Sequence, residues 1–150
     1  MTRPAAREVA VRLCFSADLA GDSVDAVIGD FFEPEHYATM GTEDTLFTEA
    51  PSENDMEYIR HLVGLVAEHR AELDETVARY ARGWTLSRIS RISLAILRCA
   101  ICEILYLDDV PTGTAINEAV EIAKRYEEPE TARFINGILG SYVREELEAK

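Results

Sequence analysis

The sequence has few cysteines and no long hydrophobic run that is free of charge. Three cysteines in 150 residues cannot form a disulfide framework, so a reduced, cytosolic setting is expected. The most apolar segment, 89–107, is interrupted by Arg91, Arg98 and Glu103, which are too many charges for a membrane span. The first residues do not place an apolar core after a basic start, so no secretory signal is expected. These absences predict a cytoplasmic protein that does not associate with membranes.

The chain also lacks the motifs on which common active sites are built. It has no G-x-S-x-G elbow, no P-loop and no G-x-G-x-x-G turn. Cys99 and Cys102 have the spacing of a zinc or redox half-site, but they lie in an apolar run with no second cysteine or histidine pair nearby in sequence. Core packing is therefore favoured for both. The sequence predicts a protein that is not an enzyme, with no metal and no cofactor.

No stretch alternates between polar and apolar residues, and no internal repeat is present. The apolar residues recur with helical spacing throughout, which predicts an all-α fold of about seven helices. A chain of this length buries about 70% of its unfolded surface in one core, so a single domain over 1–150 is expected. The expected helices cover about residues 4–19, 23–32, a segment after the cap residues 52–55, 71–82, 89–107, a segment after Pro111, and a last helix from Pro129.

Residues 18–59 contain twelve carboxylates and no lysine or arginine, so they account for most of the net charge of −13. The rest of the chain is close to neutral, and residues 76–102 contain five arginines and no carboxylate. Nucleic-acid binding depends on local potential, so the acidic total does not exclude RNA. Within the acidic part, residues 33–54 show no periodicity and contain two prolines and a glycine. They predict an acidic loop that is functional or disordered.

Single-stranded RNA is bound by cationic groups that contact phosphates and by flat side chains on which bases stack. Arg3 and Arg7 lie one turn apart on the first helix. They either contact RNA or belong to a helix face that is simply solvated. Tyr80 lies among arginines and is either a stacking residue or a half-buried core tyrosine. Arg133 and Phe134 lie just inside the last helix, where Phe134 contacts RNA or packs inward. The residues alone leave these alternatives open.

Several short motifs follow one another in a fixed order, mostly in the last third of the chain. They are W-T-L-S-R-I at 84–89, A-I-L-R at 95–98 followed by E-I at 103–104, A-I-N-E-A-V-E-I-A-K-R-Y at 115–126, R-F-I-N-G-I-L at 133–139, and R-E-x-A at 7–10. Together these motifs resemble those of the NusB family of transcription antitermination factors. Their number and order make the resemblance more specific than any one motif alone.

The resemblance implies an all-α fold of two crossed three-helix bundles and a role in the transcription of ribosomal RNA operons. Such a protein would bind the boxA element of nascent single-stranded RNA together with NusE, a ribosomal small-subunit protein, in an antitermination complex with RNA polymerase. The residues that the resemblance implies for RNA binding are Arg3, Arg7, Tyr80, Glu130, Arg133 and Phe134. Those that it implies for the protein partner are Arg12, Phe15 and Ser93.

The chain departs from the family pattern at two places that bear on these surfaces. Ser93-Leu94 stands where the family commonly has an acidic residue followed by arginine, and Glu127 stands where it has glycine. An alternative function is therefore a helical protein-interaction module with weak or no RNA binding. A NusB-like domain attached to an RNA methyltransferase is disfavoured, because the 150 residues leave no room for a cofactor domain.

Overall fold

The computed structural model describes residues 1–21, 23–33 and 50–148. These residues form seven α-helices, which confirms the expected all-α class and number of helices, and no strand occurs among them. A short 3-10 helix, Leu86–Arg88, and a π-helical segment, Val143–Glu148, complete the described elements. The α-helices are α1 (Arg3–Ala20), α2 (Val24–Phe31), α3 (Glu53–Glu68), α4 (Arg70–Tyr80), α5 (Arg91–Tyr106), α6 (Thr112–Tyr126) and α7 (Pro129–Tyr142).

The chain divides into two compact units, Met1–Ala67 and Glu68–Lys150. The first unit contains α1, α2 and nearly all of α3. Thr2 caps α1 by accepting a hydrogen bond from the backbone N–H of Ala5, and Gly21 ends the helix in the left-handed conformation, with φ 71°. The apolar stripes of α1 and α3 are fully enclosed. Their buried members include Val9, Leu13, Ile59, Leu62 and Val63.

The second unit is built from α4, α5, α6 and α7, and α5 packs against the other three. Every residue of α5 from Ser93 to Glu103 is buried, as expected for a central helix. Cys99 and Cys102 lie inside this run, which confirms that they pack in the core. None of the described helices is long and apolar enough to cross a membrane.

A serine sets the start of each of two helices. The helix expected from residue 89 begins at Arg91, because Ser90 adopts an extended conformation and accepts a hydrogen bond from the N–H of Ser93. The cap residues expected at 52–55 are confirmed, because Ser52 caps α3, the helix after the acidic loop expected at about 33–54, by a reciprocal pair of hydrogen bonds with Asp55. Residues 34–49 of that loop lie outside the described residues.

Candidate functional site

The residues expected on α1 differ from one another in exposure. Arg3 is exposed, and its guanidinium carbon lies 4.0 Å from the centroid of the Tyr58 ring in the same unit, a cation–π distance. Arg7 is only 4% exposed, so the structure does not present it beside Arg3 on an open face. Arg12 and Phe15 are partly exposed, and Arg12 lies 3.8 Å from the carboxylate of Glu8. Their roles in RNA or partner binding stay predictions.

A basic cluster of Arg79, Tyr80 and Arg82 lies at the end of α4, where two acidic side chains of the π-helical segment contact it. The Tyr80 hydroxyl donates a 2.8 Å hydrogen bond to Glu146 Oε1, and Arg79 donates to the same oxygen. Arg82 pairs with Glu145 at 2.9 Å. Burial and then the hydrogen bond to Glu146 raise the pKa of Tyr80 above its ordinary value. The basic cluster is thus already occupied by carboxylates of the same chain.

Tyr80 itself is 7% exposed, and its ring meets the edge of the Tyr142 ring at 5.9 Å between centroids. Tyr80 is therefore a core tyrosine in this structure, and its ring is not open for a base to stack on it. A base could stack on the ring only after its surroundings had moved. The expected RNA contact through Tyr80 stays a prediction.

An aromatic pocket of about 250 Å³ lies between α5, α6, α7 and the chain before α5. Trp84 is 49% exposed and its ring centroid lies 5.5 Å from that of Phe134, with the planes tilted by 52°. The guanidinium carbon of Arg88 lies 5.9 Å from the Trp84 ring centroid. The residues lining this aromatic pocket are Trp84, Arg88, Ile89, Ser90, Ser93, Glu127, Glu130, Thr131 and Phe134.

The structure joins the two departures from the family pattern on one wall of the aromatic pocket. Ser93 is 1% exposed, and its hydroxyl donates a 3.0 Å hydrogen bond to Glu127 Oε1, to which the Ser90 hydroxyl also donates. A carboxylate at position 93 would meet the carboxylate of Glu127, and two such charges at contact distance repel each other. Serine at 93 and glutamate at 127 are therefore compatible as a pair, and their hydrogen bonds fix the Glu127 side chain.

The aromatic pocket brings together three residues that the family resemblance implied for different partners. Glu130 and Phe134 were expected to contact RNA and Ser93 to contact a protein, and all three line it. Arg133 is exposed on α7 but does not line the pocket. Sequence reasoning missed Trp84 and Arg88 as site residues. The signal that could have found them is a tryptophan between two nearby arginines, Arg82 and Arg88, in a stretch without apolar periodicity.

The sequence matches the model of the NusB family over residues 4–144. It is 41% identical over 147 residues to the transcription antitermination protein NusB of Acetivibrio thermocellus, covering 98% of this chain and 92% of that protein. It is 39% identical over 144 residues to the protein of the same name from Symbiobacterium thermophilum, covering 96% of this chain and 90% of the relative.

The fold resembles two solved structures. One is T. maritima NusB, with a TM-score of 0.77, 24% sequence identity and coverage of 97% of this chain and 93% of that one. The other is a chain of a crystal structure of antitermination factors NusB and NusE in complex with dsRNA, with a TM-score of 0.77, 20% identity and coverage of 95% and 96%. At these identities the structural likeness establishes the fold alone.

Proposed function

This chain belongs to the NusB family, since the family model spans residues 4–144, and we propose that it is a transcription antitermination factor. In this role it binds boxA-type RNA together with NusE, within a complex with RNA polymerase that transcribes ribosomal RNA operons. The observation that carries the proposal is the 41% identity over 98% of the chain to a protein of that name. The proposal places the protein in the cytoplasm, gives it no catalytic activity, and treats residues 1–150 as one NusB-like domain.

The exposed and half-exposed residues of the second unit support RNA binding there. Arg133 is exposed and provides a guanidinium for a phosphate, while Phe134 and the half-exposed Trp84 provide rings on which a base can stack. Glu130 lies beside them and can accept a hydrogen bond from a base amino group. We assign phosphate contact to Arg3 as well, because it is exposed in the first unit.

The partner surface of the proposal includes Arg12, Phe15 and Ser93. Phe15 is partly exposed on α1 and offers an apolar contact for NusE. Ser93 is enclosed and bonded to Glu127, so we expect it to act on the partner through the position of that carboxylate. Arg7 is enclosed as well, and its assignment to RNA requires its guanidinium to become accessible.

The test is a titration of labelled boxA-like RNA and of a scrambled RNA, with and without NusE, at several salt concentrations. We expect boxA-like RNA to bind more tightly than scrambled RNA when NusE is present. We also expect log K to fall with log salt by about 0.7 for each phosphate neutralised on a single strand. Equal binding of both RNAs, or no binding with NusE present, would contradict the proposal.

One variant tests the assignment of Arg133. Arg133→Ala should weaken boxA binding several-fold, because it removes one of the guanidiniums that contact phosphate, while the helical circular dichroism signal stays unchanged. Lys124→Ala is the matched control, since it also removes one exposed positive charge from the second unit, on α6. Equal losses in the two variants would mean that general charge, and not contact through Arg133, determines the affinity.

The alternative of a helical protein-interaction module is favoured by one observation. The guanidiniums of Arg79 and Arg82 are paired with Glu146 and Glu145, which reduces the positive charge available to RNA on that surface. The same titration separates the alternatives. An interaction module would bind its protein partner in the absence of RNA and would show no preference for the boxA-like sequence.

A further inference from the structure

Two adjacent carboxylates contact all three side chains of the basic cluster. Glu146 Oε1 accepts hydrogen bonds from the Tyr80 hydroxyl and from Arg79, and Glu145 Oε1 accepts one from Arg82. Guanidiniums bind phosphate oxygens and carboxylate oxygens through the same donor geometry. The donors that hold Glu145 and Glu146 are thus the donors that a phosphodiester would use.

We propose that Arg79, Tyr80 and Arg82 form a phosphodiester-binding site and that Glu145 and Glu146 occupy this site until RNA displaces them. The two carboxylates take the position of phosphate oxygens, so their contact with the basic cluster inhibits RNA binding by the same chain. The inference rests on the proposed function in taking RNA as the ligand. It adds a regulation of the expected Tyr80 contact.

The local geometry keeps the two carboxylates close to the basic cluster. They follow Tyr142 and Val143, which are both buried in the second unit and hold the start of the π-helical segment in place. An acidic group tethered in this way competes with RNA at a high effective concentration. The carboxylates therefore compete with a ligand in solution even though each contact is weak.

The ion pairs between the basic cluster and the two carboxylates are weak enough for RNA to displace them. The side chains of Arg79 and Arg82 are more than half exposed, and Glu145 is about half exposed, so solvent and salt screen their ion pairs. RNA that supplies phosphates to the same guanidiniums can replace such pairs without leaving a buried charge. We expect the carboxylates to weaken RNA binding by about threefold to tenfold, in line with the small free energies of exposed ion pairs.

The experiment compares two double variants that change the net charge equally. Glu145→Gln/Glu146→Gln removes the competing carboxylates, whereas Asp108→Asn/Asp109→Asn removes two exposed carboxylates elsewhere in the second unit. The binding of a short labelled single-stranded RNA is measured by fluorescence anisotropy for both variants and for the unmodified protein. Circular dichroism establishes that each variant keeps its helical signal.

The expected result is a gain of about threefold to tenfold for the Glu145/Glu146 variant and less than about twofold for the control. The fall of log K with log salt should also be steeper for the first variant. In the unmodified protein the two displaced carboxylates take up cations from solution, which offsets part of the cations that RNA releases, and the variant lacks this offset. Adding Arg79→Ala and Arg82→Ala to the first variant should abolish the gain. Equal gains in both double variants, or no gain in either, would overturn the proposal.

The result also separates this inference from the proposed function. Failure of every variant to bind the short RNA would overturn the inference, because an uncovered cluster would then not bind phosphodiesters. The proposed function is judged by boxA binding of the unmodified protein with NusE, which can succeed while the inference fails. A gain in the Glu145/Glu146 variant without NusE-dependent boxA binding would support the inference and contradict the function.

Discussion

Arg98 places a guanidinium in the second unit with only 6% of its side chain exposed. Asp74 pairs with this guanidinium through two hydrogen bonds, from Arg98 Nε to Oδ1 at 2.7 Å and from Nη2 to Oδ2 at 3.1 Å. This fork-to-fork geometry joins α4 to α5 inside the second unit. The sequence placed Arg98 in an apolar helix but gave no sign of its partner, because the partner lies 24 residues earlier on another helix.

Removing this partner should destabilise the protein strongly. We expect Asp74→Ala to lower the free energy of unfolding by roughly 3 kcal/mol, because it removes the carboxylate that accepts two hydrogen bonds from the enclosed Arg98 guanidinium. Urea denaturation followed by circular dichroism measures this loss. Asp109→Ala is the control, an exposed carboxylate of the same unit, and should change stability by less than about 0.5 kcal/mol. A loss in Asp109→Ala as large as that in Asp74→Ala would show that the loss in stability does not come from this ion pair.

The candidate site shows the same limit of sequence reasoning at single residues. Residue types and motif order indicated Arg133 and Phe134, and the structure leaves Arg133 exposed and Phe134 partly exposed. The enclosure of Tyr80 could not be predicted, because the glutamate that bonds its hydroxyl lies 66 residues further along the chain. Local patterns report which face of a helix is apolar. They do not report which distant side chain covers a polar group.

At the scale of elements, α3 shows how a local signal fixes a helix start. The Ser52 hydroxyl accepts a hydrogen bond from the N–H of Asp55, and the Asp55 carboxylate accepts one from the N–H of Ser52. Such reciprocal capping satisfies N–H groups that have no partner within the helix. The sequence predicted these cap residues, because their types and spacing suffice without tertiary contacts. The helices themselves were predictable for a similar reason, namely the spacing of apolar residues.

The cap should make a measurable contribution to stability. We expect Ser52→Ala to lower the free energy of unfolding by about 1 kcal/mol, the usual cost of losing an N-cap hydroxyl. Asn54→Ala, an exposed change in the same helical turn, is the control and should have an effect below about 0.5 kcal/mol. Thermal and urea unfolding of the two variants measure the difference. A loss in Asn54→Ala as large as that in Ser52→Ala would show that the effect does not come from the cap hydrogen bond.

The same cap gives the stability a dependence on acid. Burial alone would raise the pKa of Asp55, but hydrogen bonds from Ser52 and from the amino group of Met1 lower it below the ordinary value of 3.8. The cap therefore stabilises the folded state fully above pH 3.8, and this contribution is lost as the pH falls through the lowered pKa. Asp55→Asn, which removes the titrating group, should accordingly cost less stability in urea unfolding as the pH falls below 3.8 than at neutral pH.

At the scale of the whole molecule, the charge is unevenly distributed along the chain. Twelve of the 28 carboxylates lie in residues 18–59, which contain no lysine or arginine, and the remaining residues are close to neutral. This distribution could be predicted in full, because charged residues can be counted without a structure. The sequence could not show that Glu145 and Glu146, outside the acidic part, are the carboxylates that contact the basic cluster.

The acidic part should affect RNA binding mainly through long-range repulsion of phosphates. We expect Glu43→Gln/Asp44→Asn/Glu49→Gln to tighten RNA binding several-fold at low salt, with the gain fading above roughly 0.15 M salt, where screening acts within about 8 Å. RNA titrations of this variant and the unmodified protein over a range of salt concentrations measure the two slopes. Thr42→Ala/Thr45→Ala/Thr48→Ala changes the same segment without changing its charge and should leave both slopes unaltered. A gain in the charge variant that persisted unchanged at high salt would indicate direct contact of this segment with the RNA site, since only charges held at short range escape screening.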